Sequence, residues 1–570
     1  MMKCIDCGTF CLCRLSSPEF EIQPGLLLKW LQGILIIAID CHSLHSGIRQ
    51  GPRRKRRMNE GTYDKPGSGA ETSARGPRRP ATKEEGWFMC THCTRRQFLG
   101  ASAVSGIALA TGHLAAASET SSSASVANSK VRICAIIAGE PGERSWTPSE
   151  AEITAVRKRL AEAEKNLGNV EFVVGQASNA EQTGRLLYEA GPDAPVLAIS
   201  ADIFGPKRVM PTIFEQRRPV ALFHLPVVGG HDWCLVKPWR EEGQRITLYN
   251  STDYDDLERA AALLRVAPLL RRSRVLVSPP FKGTPESYAP DKVKERLGVE
   301  LVQIAEGRYD EVMAKVDAAA AETEAKTWLD EAESIVEPAR EDVIKAARAS
   351  LTLDQLIAEN HADGLCVGTC MRWLERGFPC LGFSRLNDRG IPAACDGDMD
   401  CLLTMLIFRH ALNRAGFLGN AAGVDTSKNA FHLSHCSAPL RMEGPESPRS
   451  PYLLRRHAEV RGGAVTEVHY RIGQTVTFTK LVHLDTLLMF TGKIIEVPKV
   501  PKGEERGCRT EIAAEVNDAD KLLENWGGGA LGESAKDYYA SLHRVAYYGD
   551  HTRTIRHLAH LTGMKVVEEV

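Results

Sequence analysis

The segment Val131-Arg-Ile-Cys-Ala-Ile-Ile-Ala138 is a short apolar run that ends at Gly139, and it decides the fold class of the chain. Such a run predicts a buried strand. An amphipathic pattern at 148–167 predicts a helix after it, with Thr147 or Ser149 as the N-cap. Further strands are predicted at 170–174, 195–200 and 219–224, and a further helix at 180–190. Because apolar strands alternate with helices, we predict a parallel sheet covered on both faces.

The same alternation restarts after a helix predicted at 255–270 and indicates a second α/β unit, in which 379–383 is predicted to be a strand. After about residue 440, β-branched and aromatic residues stand between glycine-containing turns, which favours an antiparallel, barrel-like domain. Residues 485–490 are predicted to be a short excursion from it. We expect an extension, signal and linker at 1–129, two α/β domains at 130–270 and 271–438, and the barrel-like domain at 439–570.

The composition is ordinary for a soluble globular protein, with 43% hydrophobic and 25% charged residues among 570. The formal net charge of −1 argues against a surface built as a whole for nucleic acid. The apolar segment 26–39 contains Lys29 and Gln32 and is too short to span a bilayer comfortably. We therefore expect no nucleic-acid partner and no stable membrane insertion of the mature protein.

The segment Thr94-Arg-Arg-Gln-Phe-Leu99 has the form of a twin-arginine export signal. A soft apolar region, the possible cleavage motif Ala115-Ala-Ala117 and a Ser-rich linker follow in the usual order. The alternative is a chance Arg-Arg pair beside a buried helix. We expect an exported, periplasmic protein that uses the twin-arginine machinery and whose folded part begins near Lys130.

Three carboxylates, Asp396, Asp398 and Asp400, precede or open a predicted helix. The helix is indicated by apolar residues at 399, 402, 403, 406 and 407, which share one face. In one interpretation the aspartates cap the helix and interact favourably with its dipole. In the other, three carboxylates within so short a segment face a cation.

Further along the chain, the segment Phe431–Pro439 contains His432 and His435. One of these could be an ordinary buried, hydrogen-bonded histidine. Aspartate and histidine from separate loops are also common ligands of Mn²⁺, Fe²⁺ or Zn²⁺. The spacing alone leaves both interpretations open.

These two segments, LNDRGIPAACDGDMDCLLTML (386–406) and FHLSHCSAPL (431–440), resemble the L-fucose isomerase and L-arabinose isomerase superfamily, and most of all its L-fucose isomerase-like branch. Three later segments fit the same branch: Leu487–Gly492, Gly507–Thr510 and Tyr548–Asp550. The resemblance implies two Rossmann-like doubly wound domains followed by a β-barrel-like domain. It also implies a homo-oligomer that carries out metal-dependent aldose–ketose isomerisation of a sugar, with Mn²⁺ as the expected metal.

By the same resemblance, Asp396 is a metal ligand that also takes part in proton transfer, His435 is a second ligand, and His543 approaches the sugar or the metal. The family usually has glutamate where this chain has Asp396. Asn420 stands where the family has a second carboxylate, and an amide cannot act as a base. Either Asp398 or Asp425 substitutes, or the site has lost or changed its chemistry.

We therefore take Asp396 and Asp398 as candidate catalytic residues, and His543 and Asn420 as candidate sugar-binding residues. Trp233 is a further candidate, because it follows a predicted strand at the edge where open α/β sheets bind ligands and could stack on a sugar ring. An ordinary structured loop is the alternative there. The leading hypothesis is an exported sugar isomerase; the alternatives are a non-catalytic sugar-binding protein and a metal-assisted sugar epimerase.

Overall fold

The computed structural model describes residues 130–140, 142, 147, 149–225, 231–368, 376–504, 507–526 and 542–570. Every described residue belongs to one compact unit, Leu114–Val570. The predicted export signal and linker lie outside the described residues. None of the helices in the described part of the chain combines the length and hydropathy that a membrane span requires.

The first sheet consists of five parallel strands in the order β2-β1-β3-β4-β5. Along β1, alternate side chains pack into two separate cores, so both faces of the sheet are covered as predicted. The strands are β1 (Val131–Ala138), β2 (Val170–Ala177), β3 (Val196–Ser200), β4 (Val220–His224) and β5 (Ile246–Asn250). The helices are α1 (Glu150–Leu167), α2 (Ala180–Ala190), α3 (Gly205–Glu215), α4 (Val236–Glu241), α5 (Asp255–Leu264) and α6 (Val266–Leu270). Ser149, one of the two predicted caps, begins α1 with a capping box to Glu152.

The second sheet has four parallel strands in the order β10-β9-β6-β7. Its region contains the strands β6 (Arg274–Ser278), β7 (Glu300–Gln303), β8 (Ser334–Ile335), β9 (Gly364–Val367) and β10 (Ala393–Ala394). Its helices are α7 (Pro290–Leu297), α8 (Arg308–Lys315), α9 (Ala318–Glu331), α10 (Arg340–Asn360), α11 (Cys380–Asp388) and α12 (Met399–Leu412). The strand β8 belongs instead to a small sheet with two later strands.

The strand predicted at 379–383 is wrong, because these residues begin the helix α11. All residues of α11 except Arg385 are buried, so the segment has no polar face that would reveal a helical period. A short apolar run of this kind cannot be distinguished from a buried strand by periodicity.

Six antiparallel strands form a closed barrel in the order β15-β18-β11-β12-β17-β16, with β16 paired back to β15. The strands of this region are β11 (Phe417–Asp425), β12 (Ala430–His435), β13 (Tyr452–His457), β14 (Gly462–Val468), β15 (Thr475–Val482), β16 (Thr486–Glu496), β17 (Thr510–Val516), β18 (His543–Tyr548) and β19 (Lys565–Glu568). Two helices, α13 (Ala519–Trp526) and α14 (Thr552–Thr562), accompany them. The molecule therefore combines two parallel sheets with an antiparallel barrel.

Two features of the barrel differ from the sequence-based expectation. Its strands β11 and β12 precede residue 439, where we expected the barrel-like domain to begin. The excursion predicted at 485–490 is wrong, because residues from Thr486 onward form β16 and pair with β15 in a hairpin. Strand β11 is held in the barrel partly by its pairing with the distant strand β18, which the local sequence pattern does not contain.

A buried ion pair fastens the last strands of the barrel. Arg544 on β18 donates to Glu569, which follows β19, with an Nη2–Oε1 distance of 2.6 Å. Both side chains are fully buried, and the guanidinium lies 4.2 Å from the ring centroid of Trp526. The strand β19 pairs in parallel with β16 outside the closed ring. The segment that ends at Glu569 is thus attached to the barrel both by strand pairing and by this ion pair.

Candidate functional site

Charged side chains from the second sheet and from the barrel meet in one cluster. Lys282 follows β6, and the turn Asp396–Asp398 follows β10, so both lie at the carboxyl edge of the second sheet. Lys480 on β15 and His543 on β18 reach the same carboxylates from the barrel. The carboxyl edge of a parallel sheet is where such folds bind ligands.

Backbone hydrogen bonds fix the turn that carries the carboxylates. The Lys282 N–H donates to the Gly397 carbonyl at 2.8 Å, and the Met399 N–H donates to the Lys282 carbonyl at 3.1 Å. Asp396 and Gly397 both have left-handed backbone conformations, with φ values of 61° and 74°. Two consecutive residues in that region turn the chain sharply, and this turn brings the Asp396 side chain to Lys282.

Replacing Gly397 with alanine is expected to lower the free energy of unfolding by about 2–5 kcal/mol. A Cβ at this position would collide with the Pro280 carbonyl oxygen, in addition to the cost of the positive φ. Gly563→Ala is the matched control, because Gly563 has a φ of 70° and open space around its Cβ position. It should cost about 1–2 kcal/mol. Equal losses in urea unfolding of the two variants would contradict the predicted clash.

Asp396 is paired with a lysine. Its carboxylate accepts a hydrogen bond from the Lys282 ammonium, and each of the two side chains retains 22% of its exposure. The Nε2 of His543 lies 3.8 Å from the same carboxylate. A small molecule that reached this pair would therefore meet a cation, an anion and an imidazole together.

Asp398 has two structural tasks, and both interpretations of the aspartates apply to it. Its Oδ1 accepts from the Cys401 N–H at 2.9 Å and caps α12. Its Oδ2 accepts from the Lys480 ammonium at 2.8 Å and from His543 Nδ1 at 2.9 Å. Asp398, Lys480 and His543 are all fully buried.

The charges of this buried group stabilise one another. Burial alone would raise the pKa of Asp398, but the Lys480 ammonium and the hydrogen bond from His543 outweigh it and hold that pKa below its ordinary value. Burial likewise opposes the charge of Lys480, yet the Asp398 carboxylate keeps the pKa of Lys480 above its ordinary value. Asp398 is therefore a carboxylate that can only accept hydrogen bonds.

The protonation of His543 follows from this. Because the Asp398 carboxylate can only accept, Nδ1 of His543 carries the hydrogen in their bond. The other ring nitrogen, Nε2, is buried and has no hydrogen-bond partner among the described residues. In the neutral ring this nitrogen carries a lone pair directed to the side where Asp396 lies. An oriented imidazole with a free lone pair is suited to general-base chemistry.

His435 lies beside His543, with 5.9 Å between the ring centroids. Its Nδ1 accepts from the Cys436 N–H at 2.9 Å, so the neutral ring carries its hydrogen on Nε2. Burial, reinforced by the neighbouring His543, holds the pKa of His435 well below its ordinary value. His435 is therefore an uncharged ring that offers a donor toward its surroundings.

The two predicted metal ligands, Asp396 and His435, make other contacts in this arrangement. The Lys282 ammonium already neutralises the Asp396 carboxylate. His435 uses the lone pair of Nδ1 for a backbone hydrogen bond, and its Nε2 carries a hydrogen. Within the described ranges, no group of three or more His, Cys, Asp or Glu side chains is placed to hold a metal ion. Mn²⁺ binding by Asp396 and His435 therefore stays a prediction.

Of the other predicted site residues, one borders the cluster and two lie outside it. Asn420 on β11 is the cross-strand partner of His543 and donates to the Cys508 sulfur at 3.5 Å, so it borders the cluster. Asp425 instead accepts from Ser427 in the turn after β11, which leaves Asp398 as the only one of the two candidate substitutes within the cluster. Trp233 lies in the 3₁₀ turn after β4, at the edge of the first sheet, and is not part of the cluster.

Sequence reasoning missed the two lysines of the cluster. Lys480 follows Val476 and Phe478 on the apolar face of β15, and a cation in that place signals a buried anion. Lys282 could have been found from its place after the strand β6, at the ligand-binding edge of the sheet. Both signals are visible in the sequence, but neither identifies its aspartate partner.

A cavity of about 590 Å³ opens at the same edge of the second sheet. Its lining includes the strand ends Ser278, Gln303 and Val367, together with Gly368. A Cβ on Gly397 would lie 3.3 Å from the Cα of Gly368, so this cavity borders the turn that carries Asp396. Its volume is in the range of pockets for small ligands.

Asp400, the third carboxylate, is fully buried and accepts from the N–H and the hydroxyl of Thr284, both at 2.7 Å. Burial raises the pKa of Asp400 to about 7, with the nearby Lys480 opposing and Asp398 reinforcing the shift. In the unfolded chain an aspartate has a pKa of about 3.9. Asp400 is therefore a carboxyl group whose charge state in the folded protein changes near neutral pH.

We expect this difference to give the stability a pH dependence that Asp400→Asn removes. Between about pH 4 and pH 7 the folded protein retains a proton that the unfolded chain has lost, so the contribution of Asp400 to stability falls as the pH rises. Relative to wild type, the variant should be more stable at pH 8 than at pH 5 in urea unfolding. The exposed Asp520→Asn should show no such change, and equal differences at both pH values for Asp400→Asn would contradict the assignment.

No protein-family model and no curated protein matches the chain. One solved structure that does match is an ABC transporter periplasmic solute binding protein from Actinobacillus succinogenes 130z, with bound D-allose. The match has 11% sequence identity and a TM-score of 0.15, and it covers 46% of this chain and 83% of that chain. A likeness at this TM-score decides neither the fold nor the ligand of this protein.

Proposed function

We propose that this protein is a sugar isomerase that moves a proton between neighbouring carbons of an aldose or ketose through an enediol. The observation that carries the proposal is the free Nε2 of buried His543, oriented by Asp398 and facing the Asp396–Lys282 pair. A base, a cation and a second proton carrier are the groups that this reaction needs. The resemblance of 386–406 and 431–440 to the L-fucose isomerase-like branch supports the same assignment. We also propose, from the same resemblance, that the two α/β regions that precede the barrel are Rossmann-like domains.

The residues divide the chemistry as follows. His543 Nε2 takes the proton from C2 of the aldose and returns it to C1 of the enediol. The Lys282 ammonium stabilises the negative charge that develops on O1. Asp396 accepts the O2 proton and passes it to O1, so that an aldehyde becomes a ketone with all atoms conserved. Asn420, at the border of the cluster, is a candidate donor to a sugar hydroxyl.

Mn²⁺ stays a prediction that follows from the family resemblance. A bound divalent cation would supply Lewis-acid stabilisation of the enediolate. Asp396 could bind it through the carboxylate oxygen that does not contact Lys282, whereas His435 could bind it only in its other tautomer, because its Nδ1 accepts from a backbone N–H in this structure. No step above therefore depends on a metal.

The decisive experiment is a sugar-conversion screen with and without added Mn²⁺, together with metal analysis of the purified protein. Turnover of at least one aldose to its ketose would support the proposal. Sugar binding without turnover under both conditions would contradict it. Metal content that disappears in Asp396→Ala would restore the predicted metal site, whereas unchanged metal content would show that Asp396 is not a ligand.

Non-catalytic sugar binding is a second candidate, favoured by the edge of the first sheet. There the buried atoms His224 Nε2 and Asp232 Oδ2 have no hydrogen-bond partner among the described residues. Burial, reinforced by Asp202, raises the pKa of Asp232 to about 6. Trp233 and Phe204 are 44% and 54% exposed near this edge and offer faces for a sugar ring. Sugar binding that Trp233→Ala abolishes, with no turnover, would favour this candidate.

Export and assembly complete the proposal. The twin-arginine-like segment supports secretion of the folded protein to the periplasm, which cell fractionation of an Arg95→Lys, Arg96→Lys variant would test. A homo-oligomer is proposed from the family resemblance, and its test is the mass of the purified protein in solution.

A further inference from the structure

Two thiols lie in contact beside the candidate site. Cys436 follows β12 directly, and Cys508 lies two residues before the start of β17. Their sulfur atoms share a hydrogen bond, and the two side chains pack in one small cluster with Phe378. Since β12 and β17 are antiparallel neighbours, this contact joins two strands at their adjoining ends.

The strand register sets the two cysteines at the end of one ladder but one residue out of alignment, so the contact between their side chains is what brings the sulfur atoms together. The last pair of the ladder is His435 with Thr510. The next positions set Cys436 opposite Arg509, with Cys508 one residue beyond.

We propose that Cys436 and Cys508 form a reversible disulfide that ties β12 to β17 beside His435 and Asn420. The oxidant is a disulfide, either a small molecule such as oxidised glutathione or a protein of the thiol–disulfide oxidoreductase class. The sulfur of Cys508 attacks the oxidant and releases one half as a thiol. The sulfur of Cys436 then attacks Cys508 and releases the second half. Two thiol protons and two electrons pass to the oxidant, which leaves as two thiols.

Access favours this order of events. Cys508 is half-buried, whereas Cys436 is only 2% exposed, so an oxidant reaches Cys508 first. The hydrogen bond to Cys436 raises the pKa of Cys508, so its thiol must lose a proton before it attacks. Two other buried thiols, Cys380 and Cys395, lie near Cys508. The bond to Cys436 must therefore form in preference to a bond with either of these. The hydrogen bond already present between Cys436 and Cys508 selects this pair.

The bond would change the site without adding a group to it. The Cys436 N–H donates to His435, and the Cys508 sulfur accepts from Asn420. Oxidation would join Cys436 and Cys508 covalently. It would therefore restrict the relative positions of His435 and Asn420, which these two cysteines contact. The inference does not rest on the isomerase proposal, because its test reads the bond itself.

The test is peptide mapping of the full chain after treatment with oxidised glutathione and alkylation of the remaining thiols. Trypsin releases Cys436 in the peptide 429–441 and Cys508 in the peptide 507–509, each with a single cysteine. We expect these peptides to appear cross-linked, and dithiothreitol to separate them. The oxidised protein should also unfold at a Tm several degrees higher.

Cys508→Ser and Cys436→Ser should each abolish the cross-link and the Tm shift. Cys234→Ser is the matched control, because Cys234 is exposed and distant in sequence from this pair, and it should leave both unchanged. The proposal is overturned if Cys436 remains free while Cys234 reacts, if Cys508 retains glutathione without closing the bond, or if either cysteine joins Cys380 or Cys395 instead.

Discussion

Replacing His543 with asparagine is expected to lower the turnover number for the sugar about 10²–10⁴-fold, with a much smaller change in KM. The asparagine amide can still donate to Asp398 and so keeps the buried carboxylate satisfied. It has no counterpart of Nε2, the nitrogen that faces Asp396. The measurement is steady-state kinetics on the sugar that the conversion screen identifies, with unfolding curves to show that the variant folds.

A matched control tests whether the loss of turnover is specific to His543 or follows the replacement of any nearby histidine. His432 lies on β12, which β11 separates from the strand of His543, and it is hydrogen-bonded to Glu511 rather than to the cluster. His432→Asn should therefore retain wild-type turnover. If His543→Asn keeps its turnover within a factor of ten of wild type, the base is another residue and the division of roles proposed for the cluster is incorrect.

Replacing Asp398 with asparagine is expected to lower the free energy of unfolding by about 3–5 kcal/mol. Asparagine still caps α12, so the helix end is preserved. The loss comes from Lys480, whose ammonium is fully buried and would be left without the carboxylate that it contacts at 2.8 Å. Urea unfolding with two independent optical probes measures the change.

The double variant Asp398→Asn, Lys480→Met tests this cause. If the loss arises from an uncompensated buried charge, removing the lysine should return more than half of the stability. Lys326→Met is a suitable control, since Lys326 is an exposed partner of Asp330 and should change stability by less than about 0.5 kcal/mol. A loss below about 0.5 kcal/mol in Asp398→Asn alone would show that the pair contributes little.

The sequence predicts the fold best where a local pattern is sufficient. The strand β1 begins and ends at the predicted residues, Val131 and Ala138, because this segment is a compact apolar run suited to a strand. The helix α11 was mistaken for a strand because its burial on nearly all sides hides the helical period. The strand β11 has glycine and asparagine within it and is held by its pairing with β12 and β18, which no local signal contains.

The candidate site, like the fold, is predicted from the sequence only in part. The sequence and its family resemblance select Asp396, Asp398, His435 and His543, and the structure gathers these four in one place. They do not predict that lysines provide the positive charge, because Lys480 and Asp398 are 82 residues apart and meet only through the barrel. The exact ion pairs depend on tertiary packing, and so does the tautomer of each histidine.

The ion pair between Arg544 and Glu569 has a consequence for the timing of assembly in the cell. The cluster draws on Lys282, on His543 and, through Arg544, on a residue as late as Glu569. At a synthesis rate of about 5–20 residues per second, roughly 15–60 s separate the emergence of Lys282 from that of Glu569 at the ribosome. Throughout that interval the nascent chain carries unpaired charges and open strand edges, so we expect it to depend on chaperones at least until Glu569 has emerged.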